Sequence, residues 1–160
     1  MKFSSQEEYG LRCLLRIARE IEREGGGKGL TIPEISTAEG MTTHNTAKLL
    51  RILRIGGFLE SSRGQIGGYS LSHPADEILL SDVLKVLGGR LFDQEFCNTH
   101  SGGTQELCTN SIDCSIRSLW QMLQNAVDGV LKDMTLKDLI SGEENLLYKI
   151  ANYNKEISTI

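Results

Sequence analysis

Three features of the sequence together predict a mostly α fold with one small β-hairpin. Two short helical stretches flank Gly40, a glycine-rich hairpin sequence follows at residues 63–68, and an apolar stripe at helical spacing runs over residues 116–134. A helix-turn-helix followed directly by a hairpin is the winged helix-turn-helix arrangement, and the stripe adds a long C-terminal dimerisation helix. At 160 residues, 39% hydrophobic and 24% charged, the chain can bury a real core and has the composition of a soluble domain.

The first helix is expected to start at Ser5, where S-Q-E-E reads as a capping box with Ser5 as cap and Glu8 reaching back. Leu11, Leu14, Leu15, Ala18 and Ile21 recur at helical spacing, with arginines mostly on the other faces. Cys13 falls inside this helix and reads as a small buried apolar residue. Glycines at 25–27 and 29 end the helix. Thr31-Ile32-Pro33-Glu34 is a second capping box with proline in the first turn, and the short helix it opens stops at Gly40. Thr42 or Thr43 caps a third helix through Leu49, Leu50, Ile52 and Leu53 to Gly56 and Gly57.

Residues 58–62 read as a strand and residues 69–71 as its return. The tip between them carries three glycines and Arg63, so its backbone can turn sharply and approach another surface closely. Ser81 and Asp82 are expected to cap a short helix through Val83, Leu84, Val86 and Leu87. The stripe beyond residue 115 includes Ile116, Leu119, Trp120, Leu123, Val127, Val130, Leu131 and Met134. It is longer than a small winged domain can cover, which implies a partner helix, most simply the same helix of a second copy. Thr135 opens a last short turn, and the tail has helical character without a motif. The expected organisation is a winged helix-turn-helix domain over 1–90 and a cysteine segment over 91–115. A dimerisation helix with its following turn covers 116–141, and a tail 142–160.

Cys97, Cys108 and Cys114 lie in F-C-N-T-H-S-G-G-T-Q-E-L-C-T-N-S-I-D-C-S, a polar, glycine-containing stretch that can bury no core. Cysteine is usually a buried residue type, so three of them there call for a chemical explanation. The N-terminus has charges spread through its apolar positions, unlike a secretory signal, and no apolar run is long enough to span a bilayer. A cytoplasmic location is expected, and in that reducing setting a metal site or redox thiols are favoured over a disulfide. On pattern alone the site is open between iron–sulfur ligation by thiolates and zinc in a Cys₃His set that includes His100. Catalysis by Cys97 with His100 lacks a third orienting residue, a phosphate loop and a βαβ pocket.

Net charge is −4, which argues against nonspecific coating of nucleic acid. Its distribution is uneven: Lys48, Arg51, Arg54 and Arg63 oppose only Glu60 between residues 40 and 71, while acids outnumber bases from Ser81 onward. A locally basic first half is compatible with a polyanion partner.

With R-G-Q-I-G-G-Y-S-L behind a helix-turn-helix, I-L-L-S-D-V-L-K-V-L after it, the three cysteines and T-L-K-D-L-I, the chain resembles the IscR/NsrR group of transcription regulators in the Rrf-two superfamily. The resemblance runs from Met1 to about Leu139. It implies a cytoplasmic homodimeric regulator, such as a repressor, that binds double-stranded operator DNA. That regulator would sense redox state, iron or nitric oxide through an iron–sulfur cluster, [2Fe-2S] or [4Fe-4S]. By position Cys97, Cys108 and Cys114 would be cluster ligands, with Glu8 the fourth ligand, or His100 if the metal is zinc. Arg117, three residues after the last cysteine, stays protonated and cannot ligate. Thr42, Thr43, His44, Asn45, Lys48 and Arg51 would lie at the major groove, and Arg63, Gly64 and Gln65 at the minor groove. The alternative is a zinc-binding or metal-free thiol-switch regulator controlled by a protein partner.

Overall fold

The computed structural model describes residues 4–25, 28–64, 67–93, 108 and 112–157. Their elements, in chain order, are α1 (Ser5–Glu24), α2 (Ile32–Glu39), α3 (Thr43–Ile55), β1 (Leu59–Ser62), β2 (Gly68–Leu71) and α4 (Leu80–Leu87), followed by α5 (Ser115–Leu131), α6 (Leu136–Ile140) and α7 (Glu143–Ile157). They form two compact units. One holds the residues up to Gly89 together with those from Asp133 on, and the other runs from Arg90 to Lys132.

In the first unit α1 carries the core. Cys13, Leu14, Ile17 and Ala18 are buried along one face and meet Ile35 of α2, Leu49, Leu50 and Leu53 of α3, Val83 and Leu87 of α4, and Leu136 of α6. Each such leucine, isoleucine or valine contributes about 1.5–3 kcal/mol when fully buried. The N-cap of α1 is Ser4, not Ser5, and Glu7, not Glu8, completes the capping box. The tertiary packing selects this register: Gln6 Nε2 donates to the Leu87 carbonyl at 2.8 Å, pinning the first turn to α4.

Thr31 caps α2, its backbone N–H donating to Glu34 Oε2 at 2.7 Å. Gly40 at φ 66 closes α2 in the left-handed region that glycine enters without strain. Thr42 caps α3, its hydroxyl oxygen accepting the Asn45 N–H at 3.3 Å. The hairpin pairs antiparallel with Leu59 opposite Leu71 and Ser62 opposite Gly68. Its return strand also bridges Leu30, with Tyr69 N–H donating to the Leu30 carbonyl at 2.7 Å and Leu30 N–H to the Tyr69 carbonyl at 3.0 Å. A Cβ on Gly68 would stand 2.6 Å from the Gly29 carbonyl oxygen, so this seam needs glycine there.

The start of α4 also departs from expectation. Its N-cap is Leu79, with no side-chain cap, so neither Ser81 nor Asp82 opens the helix. Leu79 is held extended by a bridge to Thr135, flanked by Leu80 N–H to the Met134 carbonyl and Leu136 N–H to the Ile78 carbonyl, both at 2.9 Å. That seam returns the chain to the winged unit. The expected last turn is therefore the core helix α6, and the tail forms α7, tied on by Lys149 to Asp138 at 2.7 Å.

In the second unit α5 starts at Cys114, whose sulfur accepts the Arg117 N–H at 3.3 Å. Ile116, Leu119, Trp120, Met122 and Val130 of this helix are exposed, while Gln124 is its buried side chain.

Candidate nucleic-acid interface and cysteine segment

On α3 the positions that face inward are Thr46, Leu49, Leu50 and Leu53. The Thr46 hydroxyl donates to the Thr42 carbonyl at 3.0 Å, and Thr46 is fully buried, so it faces the core and not outward with the exposed positions around it. Thr42, Thr43, His44, Asn45, Lys48 and Arg51 are exposed, and 44, 48 and 51 share one helical face. Arg63 and Gly64 are exposed beside β1, with Gly64 at φ 111, and Gln65 lies outside the described residues.

The cations of the two halves of this unit differ in their partners. Arg12 and Arg16 of α1 are held by Glu39 at 3.0 and 2.7 Å, and Lys28 approaches Glu34 at 3.8 Å. Lys48, Arg51, Arg54 and Arg63 are exposed and make no ion pair among the described residues. Positive charge without internal acids is what a phosphate backbone attracts. A cavity of about 690 Å³ on the same unit, lined by Ile21, Glu22, Glu60, His73, Asp76 and Lys137 among others, holds none of the residues named for DNA or metal.

Of the proposed metal ligands, Cys108 and Cys114 are free, half-buried thiols. Cys97 and His100 lie outside the described residues. Among the described residues no group of three His, Cys, Asp or Glu gathers around one point. The residues present do fit a thiolate-ligated group. Cys114 stands at a helix N-cap, where a backbone N–H already points at its sulfur, the outer-shell contact that metal-bound thiolates take. The Glu8 side chain is exposed and, among the described residues, makes no hydrogen bond or ion pair, while its backbone N–H donates to the Ser4 carbonyl at 3.1 Å. With Glu7 serving the cap, helix capping does not explain a glutamate at position 8.

What the sequence did not reveal is the polar anchoring of α5. Gln124 accepts from the Leu91 and Phe92 N–H groups at 2.8 and 3.3 Å and donates to Asp128 at 2.8 Å. A glutamine within an apolar stripe is the one hint available in the sequence.

The comparisons with known proteins agree with this geometry. The model of the Rrf2 family, described as iron-dependent transcriptional regulator, matches residues 3–142. Protein rrf2 of Nitratidesulfovibrio vulgaris is 29% identical over 140 residues, 88% of this chain and 87% of that protein. The transcriptional regulator CymR of Bacillus subtilis is 30% identical over 142 residues, 88% of this chain and 91% of CymR. Its solved structure, described as that of the global cysteine regulator, matches at a TM-score of 0.64 and 27% identity, covering 88% of this chain and 97% of that one. The transcriptional regulator IscR of Photorhabdus laumondii is 27% identical over 146 residues, 91% of this chain and 83% of IscR. No helix among the described residues is long and apolar enough to cross a membrane. This chain belongs to the Rrf2 family, and is a winged-helix transcription regulator and not an enzyme.

Proposed function

We propose that the protein is a homodimer that binds operator DNA sequence-specifically and carries an iron–sulfur cluster on Cys97, Cys108 and Cys114. The observation that carries the DNA half is the exposed, unpaired cation set of Lys48, Arg51 and Arg63 beside the polar first turn of α3. In this reading α3 lies in the major groove, and Arg63 enters a narrow minor groove where the negative potential is enhanced. The exposed stripe of α5 supports pairing of two copies, which would set two recognition helices about one helical turn, ~34–36 Å, apart.

The cluster half is supported by the family's iron dependence and by the N–H···S contact at Cys114. A cluster bound there would supply a centre that responds to redox state and to ligand exchange. The fourth ligand is Glu8, supplied by the second copy. If the metal is zinc, His100, three residues from Cys97, takes that role. A second reading, a thiol regulator without metal, draws on CymR, described as a cysteine regulator, and on the free thiols Cys108 and Cys114.

Two measurements test the proposal. Protein purified without oxygen should show visible sulfur-to-iron charge-transfer absorption, whereas a colourless protein with zinc or with no metal selects the alternatives. Selection from random DNA should enrich a dyad sequence. On that sequence Arg63→Ala should weaken binding and relax the preference for A·T-rich flanks. Lys48→Ala should weaken binding to all sequences or change the preference at one position. Unchanged affinity in both folded variants would remove the DNA reading of this face.

A further inference from the structure

At the root of the wing, the first unit holds a cavity of about 690 Å³, within the ~300–1,000 Å³ of small-molecule sites. It is walled by α1, both wing strands, the segment leading to α4, and α6. Ile21, Leu71 and Ile140 line it, half-buried and packed against the hydrophobic core, so part of the lining is apolar.

The charges around this floor do not cancel. Lys137 donates to Glu22, and His73 Nδ1 lies 2.9 Å from Ser72 Oγ, so both basic side chains of the lining are engaged. The Glu60 carboxylate accepts the Ser70 hydroxyl at 3.3 Å, and the Asp76 side chain makes no hydrogen bond. Neither carboxylate meets a cation among the described residues. With Glu22 and Lys137 neutralising each other, two carboxylates are left beside apolar walls. A cleft lined by one sign of charge with low-dielectric walls focuses the field and concentrates ions of the opposite sign.

We propose that this cavity binds a small organic cation, a protonated amine on a hydrocarbon body. Glu60 and Asp76 take the charge, and Ile21, Leu71 and Ile140 take the hydrocarbon. The two carboxylates select against an anion of the same shape. An occupant touches the wing strands together with α1 and α6. Glu60 stands three residues before Arg63, about 10 Å along the strand at ~3.3 Å per residue. A cation held at the wing root therefore biases the placement of the tip, and with it the affinity for DNA. That coupling rests on the DNA-binding reading above, whereas the binding of the cation does not.

The test uses the full-length protein at neutral pH and three probes with one hydrocarbon body: cyclohexylmethylamine, cyclohexylmethanol and cyclohexylacetate. Nitrogen–proton correlation spectra locate and measure binding. The amine should shift the amides of Leu71 and Ile140 saturably and bind about tenfold more tightly than either analogue. Glu60→Gln/Asp76→Asn, at exposed positions, should keep the parent spectrum away from the cavity. It should bind the amine about tenfold more weakly and the alcohol within about twofold of the parent. Saturating amine should change the affinity for the selected dyad sequence about fivefold in the parent, and not in the double variant, which controls for amine acting on the DNA itself. Equal binding of amine and alcohol, shifts that miss the cavity, or a double variant that binds the amine like the parent overturns the site. Amine bound in the cavity with unchanged DNA affinity overturns the coupling to the wing. If no DNA sequence is enriched, the DNA-binding reading fails while the spectra still decide the cavity.

Discussion

Cys13 shows how one residue in the centre of a helix couples the core to pH. Burial pushes its thiol up to about 12, the Glu39 carboxylate acts in the same direction, and Arg12 opposes them. Above pH 9.0, the value of a free thiol, the unfolded chain loses this proton while the folded chain keeps it. The unfolded state then binds fewer protons, so stability falls as pH rises from 9.0 towards about 12. Urea midpoints measured across that range should decline in the parent protein and decline less in Cys13→Ala. Equal slopes would mean that the thiol does not titrate as its burial requires. The same thiol is protected from reagents at neutral pH, unlike half-buried Cys108 and Cys114.

At the scale of elements, α1 and the end of α2 are joined by Glu39, which accepts from Arg16 at 2.7 Å and Arg12 at 3.0 Å. Burial raises the Glu39 carboxyl, and the hydrogen bonds and charges of Arg16 and Arg12 outweigh it, leaving the group below its usual 4.5. A lowered carboxyl stabilises the fold above its unfolded value, and the effect is lost as pH falls through the folded one. Glu39→Gln should therefore be less stable than the parent at pH 7, with the gap closing below pH 4.5. A gap that stays constant on acidification would show that the carboxylate charge is not the cause. The elements joined here are legible in the sequence because each boundary is a local chemical need: Thr31 with Glu34 to start α2, Gly40 at positive φ to end it, Thr42 to start α3. Two starts are illegible for the opposite reason. Ser4, Ser5, Glu7 and Glu8 offer two overlapping capping boxes, and the choice between them is made by Gln6 reaching Leu87. The start of α4 is fixed by Leu79 against Thr135, a pairing of distant residues that no local pattern signals. On the candidate site, Thr42, Thr43, His44, Asn45, Lys48, Arg51 and Arg63 are exposed, while Thr46, between them in sequence, is buried; its short side chain does not announce its orientation.

For the whole molecule, the exposed apolar residues of α5 lead to a prediction about assembly. Trp120 and Leu119 are 41% and 48% exposed, adjacent on a helix whose buried position is polar. If two copies pair through α5 as proposed, Trp120→Glu should yield a monomer in sedimentation at micromolar concentration where the parent is a dimer, and leave the circular dichroism unchanged, because the side chain is not part of the core among the described residues. A variant that remains dimeric would place the contact elsewhere. The winged unit itself is discontinuous in sequence: it is interrupted after Gly89 and resumes at Asp133, where Leu136 is fully buried and the Leu79–Thr135 seam closes it. The Arg90–Lys132 unit is therefore an insert with two covalent attachments to a host that has already recruited its own C-terminal helices. A protease cut anywhere between residues 94 and 111 would sever the polypeptide without releasing either piece, since the downstream fragment keeps α6 in the host core. Backbone continuity through the cysteines is then dispensable for holding the two fragments together, because the burial of α6 in the host does that work.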